Sequence, residues 1–182
     1  DNLELNGKGD IYSFIAFSLW NMLEENGRLG IIVSNSWLGT VWGYRFLELL
    51  QYYYNICSII ISGVGKWFDN AEVVTTILIL EKKSISEPEP DNMVSFCVLK
   101  KTMLELELFP NNMNIAIDSV ITSQELDGEI LTLKEYSLEQ ISKLNHLGIS
   151  RNALFHGVDW LIKIEKKLGY ELDKAYQSYE WR

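Results

Sequence analysis

Apolar residues recur at three- and four-residue spacing through Ile11, Phe14, Ile15, Leu19, Met22 and Leu23. Asp10 stands in front of them as a capping residue and Asn26-Gly27 closes the segment, so the pattern predicts a helix with one buried face. Arg28 to Val33 follows as a short apolar run rich in β-branched residues, which predicts a strand covered on both faces and broken at Ser34-Asn35-Ser36. A second helix is predicted over 41–53, with Phe46, Leu47, Leu50 and Tyr53 on one stripe, and a second buried strand over 55–62. Helix, strand, helix, strand is the rhythm of an α/β sheet with parallel strands.

Residues 72–81 carry the strongest strand pattern in the chain. No helix separates them from the strand before. Parallel pairing needs a crossover of about a dozen residues or more, so these two strands should pair antiparallel, as a hairpin at the sheet edge. Pro88 and Pro90 mark an exposed connector, and residues 93–99 suit another strand. Further on, 104–109 is ambiguous between helix and strand and ends at Pro110, while 115–122 and 129–133 suit strands. Helices are expected over 138–144, 158–168 and 171–179. The fold class expected is α/β, with a mixed α+β extension toward the C-terminus.

The length of 182 residues bounds the chain to one compact domain, or one with the start of a second. With 47% apolar and 23% charged residues there is ample material for a core, and no apolar run approaches the ~20 residues that cross a bilayer. A formal charge of -9 disfavours a free-standing nucleic-acid binder, since Lys and Arg supply most non-specific affinity for phosphate. Cys57 and Cys97 both fall in strand-like runs, which points to reduced thiols and a cytoplasmic setting rather than a disulfide framework. The chain opens on Asp1 and closes on Trp181-Arg182, which reads as a piece of a longer polypeptide.

Common catalytic signatures are missing from these residues: there is no Walker loop, no G-x-G-x-x-G and no metal-ligand spacing among His146, His156, Cys57 and Cys97. Gly63-Val64-Gly65-Lys66 lacks phosphate-loop spacing and reads as a hairpin turn. His156 has no acidic partner that the sequence can place beside it, and is read as structural.

The order of segments says more. Gly7-Lys8-Gly9-Asp10-Ile11-Tyr12 and a helix, then residues 27–40 with Ser34-Asn35-Ser36-Trp37, then 67–82 beginning Trp67-Phe68-Asp69-Asn70, resemble the distal half of an N6-adenine DNA methyltransferase. The likeness is to the large type IIG-like methylases of restriction-modification and phage-exclusion systems. It covers about residues 1–83, and more loosely 138–160, where Tyr136-Ser137-Leu138-Glu139-Gln140-Ile141 and Asn152-Ala153-Leu154-Phe155-His156 look like the approach to a target-recognition region.

The resemblance implies a partial Rossmann-like S-adenosylmethionine methyltransferase sheet ending in an antiparallel hairpin. It also implies three stretches: 1–83 as the C-terminal half of the catalytic domain, 84–133 as connector and extra strands, and 134–182 as a helical lead-in to target recognition. In that family an Asn or Asp of an Asn/Asp-Pro-Pro-aromatic tetrapeptide and a backbone carbonyl accept the two amine protons of adenine, localising its lone pair for attack on the sulfonium methyl. Neither the tetrapeptide nor a glycine-rich loop for S-adenosylmethionine occurs in these residues, so this stretch is expected to be inactive alone and to supply the target-base side of the cleft.

An adenine extruded from double-stranded DNA needs an aromatic wall. The resemblance places Phe68 there, with Trp67 as the neighbour one register away. Ser34, Asn35, Ser36 and Trp37 follow the carboxyl end of a parallel strand, where open α/β sheets put ligands; they would line the base or DNA side, or else form a tight turn with Trp37 in the core. Lys66 and Arg45 are candidate DNA-phosphate contacts or solvated surface charges. The alternative function is a non-catalytic DNA- or subunit-binding module. An unpaired first strand would in either case invite self-association.

Overall fold

The computed structural model describes residues 11–68, 72–84, 93–122 and 126–158. Asp10, all but the first residue of the helix expected over 158–168, and the helix expected over 171–179 lie outside them. Helix α1 (Tyr12–Trp20) leads to strand β1 (Arg28–Ser34), a short 3-10 helix (Asn35–Gly39), helix α2 (Val41–Tyr53) and strand β2 (Tyr54–Ser62). Strands β3 (Thr75–Lys82) and β4 (Met93–Leu99), helices α3 (Met103–Leu108) and α4 (Pro110–Thr122), and strands β5 (Leu126–Asp127) and β6 (Leu131–Ser137) follow. Helices α5 (Leu138–His146) and α6 (Arg151–Leu154) complete the described elements.

The result is an α/β fold around one mixed sheet of six strands in the order β1-β3-β2-β4-β6-β5. Strands β2 and β3 pair antiparallel, as their short connection requires, with Ile60 opposite Ile77. The hairpin does not lie at the sheet edge, however. β3 is inserted between β1 and β2, and β2 takes β4 as a parallel neighbour on its other side, Ser58 to Ser62 pairing with Ser95 to Leu99.

Side chains alternate between two cores because strand residues point to opposite faces. Ile59, Leu78 and Phe96 join α2, α5 and α6 in one, and Ile60, Cys97 and Leu99 join α3 and α4 in the other. The second core corrects the strand expected over 115–122, which is the last part of α4; Pro110 at its first position fits a helix start, where its missing N–H goes unused. Strand β1 is not covered on both faces either: Val33 is buried, but Gly30 and Ile32 on the other face are exposed. In α1 it is Ser13 and Ala16 that are buried, while Ile11, Phe14, Ile15 and Met22 stand exposed. The helix also ends at Trp20, a turn and a half before Asn26, which holds a left-handed φ of 60° ahead of Gly27.

Candidate functional site

The carboxyl ends of β1 and β2 and the start of β3 meet at one end of the sheet, because the two parallel strands run into their loops there and β3 sets out from the same side. Ser34 is the last residue of β1 and lies opposite Thr75. Its hydroxyl accepts the Ser36 N–H at 3.2 Å, which caps the 3-10 helix and turns the chain sharply away from the strand. The Asn35 N–H donates to the Val74 carbonyl at 3.0 Å, and the Ser36 hydroxyl shares a hydrogen bond of 3.2 Å with that of Tyr12 on α1. Ser36 is exposed, whereas Ser34 and Asn35 are half-buried. Three polar side chains are thus presented at the strand end where open sheets hold ligands.

Trp37 is different. Its side chain is fully buried, edge-on to Phe46 at 5.5 Å between ring centres, so it packs the core under the turn and presents no surface to a cleft. Of its two sequence readings, the core one matches the geometry.

The loop from β2 to β3 carries the adjacent aromatics, and they divide. Trp67 is half-buried against the core formed by Ile60, Leu99 and Leu106. Phe68 is 47% exposed, at the same end of the sheet as Ser34. An aromatic ring left in water at a strand end is available for stacking; one tucked beneath it is a support.

Each candidate phosphate contact already holds a carboxylate. The Lys66 ammonium lies 3.2 Å from Glu72 and the Arg45 guanidinium 2.8 Å from Glu48 one helical turn on. Such exposed pairs contribute about 0–1 kcal/mol and exchange readily for another anion. His156 lies exposed on the turn after α6.

Gly63-Val64-Gly65-Lys66 does not form a phosphate cradle. The Gly63 N–H donates to the Leu99 carbonyl at 2.7 Å, and a Cβ at Gly63 would meet Val98 Cγ1 at 2.7 Å, so this glycine serves close packing against β4. Gly65 takes a φ of 113°, which a glycine adopts freely. S-adenosylmethionine carries no phosphate, so the shape of this loop does not bear on its binding by the described residues. Among them, no cluster of His, Cys, Asp and Glu could hold a metal ion, and no helix is long and apolar enough to cross a membrane.

Two surface hollows lined by described residues lie away from these strand ends. One of about 300 Å³ runs between α2 and α5, lined by Tyr44, Glu48, Gln51 and Asn145 among others. Another of about 410 Å³, with Trp20, Tyr52 and Tyr53, sits by the start of β2. The described residues of the candidate site form a lip at the strand ends.

The sequence gives no sign of Arg151, which is 1% exposed and donates from Nη2 to the carbonyls of Trp37 and Thr40 at 2.6 and 2.8 Å. One arginine in the stretch Ser150-Arg151-Asn152 carries no pattern of its own; only the tertiary fold brings it beneath the turn after β1.

No family model matches the chain. Among solved structures, it is similar to the type IIG restriction endonuclease BpuSI, with a TM-score of 0.54 and 12% sequence identity, over 78% of this chain and 16% of that one. A chain of a type I restriction-modification system aligns with 86% of this chain and 36% of its own, at 13% identity and a TM-score of 0.44, too distant to add to the first. The likeness to BpuSI is one of fold, and this chain spans 16% of that protein's length.

Proposed function

We propose that this chain is the target-base side of a restriction-modification DNA methyltransferase that transfers a methyl group from S-adenosylmethionine to adenine N6. The observation that carries the reading is that exposed Phe68, in the loop after β2, and Ser34, Asn35 and Ser36, at the end of β1, follow the carboxyl ends of two parallel strands with a reversed strand between them. The fold likeness to a type IIG restriction endonuclease supports the restriction-modification setting.

In this reading the Phe68 ring stacks on the extruded adenine. Extrusion costs a few kcal/mol, and one base on one aromatic ring returns about 1–3 kcal/mol, so a single wall offsets much of the cost. Ser34, Asn35 and Ser36 offer hydroxyl and amide groups to the base edge or the displaced strand. Lys66 and Arg45 exchange Glu72 and Glu48 for DNA phosphate. The cofactor and the proton-accepting tetrapeptide are assigned to a part of the protein other than this chain.

The 182-residue chain, incubated with duplex DNA and methyl-labelled S-adenosylmethionine, should transfer no label. Transfer by this chain alone would contradict the division of labour. The coding sequence upstream of Asp1 should encode Asn-Pro-Pro-aromatic or Asp-Pro-Pro-aromatic; a different sequence there would favour the non-catalytic binding module instead.

A further inference from the structure

Arginine is almost never fully buried unless paired, yet Arg151 is 1% exposed and none of its contacts among the described residues is a carboxylate. Its guanidinium carbon lies 3.8 Å from the centre of the Tyr44 ring, and Nη2 donates to the Trp37 carbonyl at 2.6 Å and the Thr40 carbonyl at 2.8 Å. Burial pulls its pKa down from the ordinary arginine value. A charge held inside with no carboxylate beside it among the described residues is a poor way to gain stability, and an apolar side chain of similar volume would serve the core better. What the guanidinium supplies is geometry: the two N–H groups of one nitrogen, Nη2, fix two carbonyls that bracket one turn, while the plane lies on the Tyr44 ring.

That turn is the continuation of the candidate lip. Trp37 and Thr40 follow directly on Ser34, Asn35 and Ser36, and lead into α2. Gly43 in the first turn of α2 keeps the joint tight: a Cβ there would stand 1.7 Å from the Trp37 carbonyl oxygen and 2.8 Å from Arg151 Nη2. From the other side, Arg151 is fixed by its own helix, whose cap is the Ser150 hydroxyl, and by Leu154 and Phe155, both buried in the core.

We infer that Arg151 is a positioning residue: it sets the turn over 34–40, and so couples the C-terminal segment 138–158 to the lip that receives the target base. The coupling is a property of the fold; its consequence for catalysis rests on the methyltransferase reading above.

Hydrogen exchange on the 182-residue chain tests the geometric half with Arg151→Met, which keeps bulk and loses every donor, and Arg151→Lys, which keeps the charge and a donor nitrogen but loses the planar group on the Tyr44 ring. Amides over 36–41 should lose protection at least about tenfold in Arg151→Met, and less in Arg151→Lys, with β2 and β4 changed by less than about twofold. Should Arg151→Met unfold the chain, Gly43→Ala strains the same joint from the α2 side and should loosen the same amides. Uniform loss across the sheet, or no loss, overturns the proposal. Methyl transfer by the longer protein tests the coupling: Arg151→Lys should raise KM for DNA or lower kcat while KM for S-adenosylmethionine stays put. Local loosening with unchanged kinetics overturns the coupling and leaves the methyltransferase reading intact. A longer wild-type protein that transfers no methyl group overturns that reading and the coupling together, while the exchange result stands.

Discussion

The Asn35 N–H donates to the Val74 carbonyl at 3.0 Å, tying the end of β1 to the last residue before β3. One arm of the candidate lip is therefore fixed to the loop that carries the other. Within that loop the two aromatics should separate cleanly in an unfolding experiment. Phe68→Ala, at an exposed position, should change stability by no more than about 0.5 kcal/mol. Trp67→Ala removes a half-buried ring packed against the core that contains Leu99 and Leu106 and should cost about 2–4 kcal/mol in urea unfolding. Equal losses would contradict the division into wall and support.

Gly43→Ala is the smallest substitution with a large expected effect. Alanine ordinarily favours a helix interior by about 1 kcal/mol over glycine, but the added carbon would stand 1.7 Å from the Trp37 carbonyl oxygen. Strain should dominate, with a net loss of about 1–3 kcal/mol by thermal or urea unfolding. A stabilised variant would mean that the turn yields freely.

Alkaline pH should weaken the fold through Tyr54. This residue is fully buried, its hydroxyl donates to the Ala16 carbonyl, and burial pushes its pKa from the ordinary 10.0 up to about 12. The folded chain holds this proton to higher pH than the unfolded chain does. The stabilisation is therefore complete below pH 10 and is lost as pH rises through about 12. Tyr54→Phe should cost about 1 kcal/mol at pH 8 and show a shallower decline between pH 10 and 12 than the parent, measured by urea unfolding across that range. Parallel declines would remove Tyr54 from the account.

Strand β1 pairs on one side with β3 and on the other with nothing among the described residues, and Ile32 on its open face is 52% exposed. Unpaired edges recruit partners, and a charge on the edge blunts them. The 182-residue chain should self-associate with rising concentration in light scattering, and Ile32→Lys should reduce this. A clean monomer at high concentration would count against an open edge.

Helix α2 and strand β4 were legible to the residue, because the stripe Phe46, Leu47 and Leu50 and the run Val94 to Leu99 are buried as their spacing requires. Apolar composition says how greasy a strand is but not how many neighbours it has, and so β1 reads as covered on both faces although one is open. In α1 the spacing of large apolar residues points to the wrong face: α2 approaches on the side of small Ser13 and Ala16. Pro110 can stop one element or start the next, and here it opens α4. The box Thr102-x-x-Glu105, whose side chains cap α3 reciprocally, was a readable helix start. The seryl turn after β1 follows from the end of the strand, whereas the Trp37 ring turns inward onto Phe46 and its carbonyl is held by Arg151, 114 positions away, which no local pattern reveals.

The most direct measurement is mass-spectrometric detection of N6-methyladenine in duplex DNA after incubation of the longer protein proposed to contain this chain with S-adenosylmethionine, alongside its Phe68→Ala variant. The parent should methylate adenine N6, and the variant should lose turnover by roughly tenfold or more, the worth of one base–aromatic stack, with cofactor affinity nearly unchanged. No adenine methylation by the parent, or full turnover in the variant, would contradict the assignment of this chain to the target-base side of the cleft.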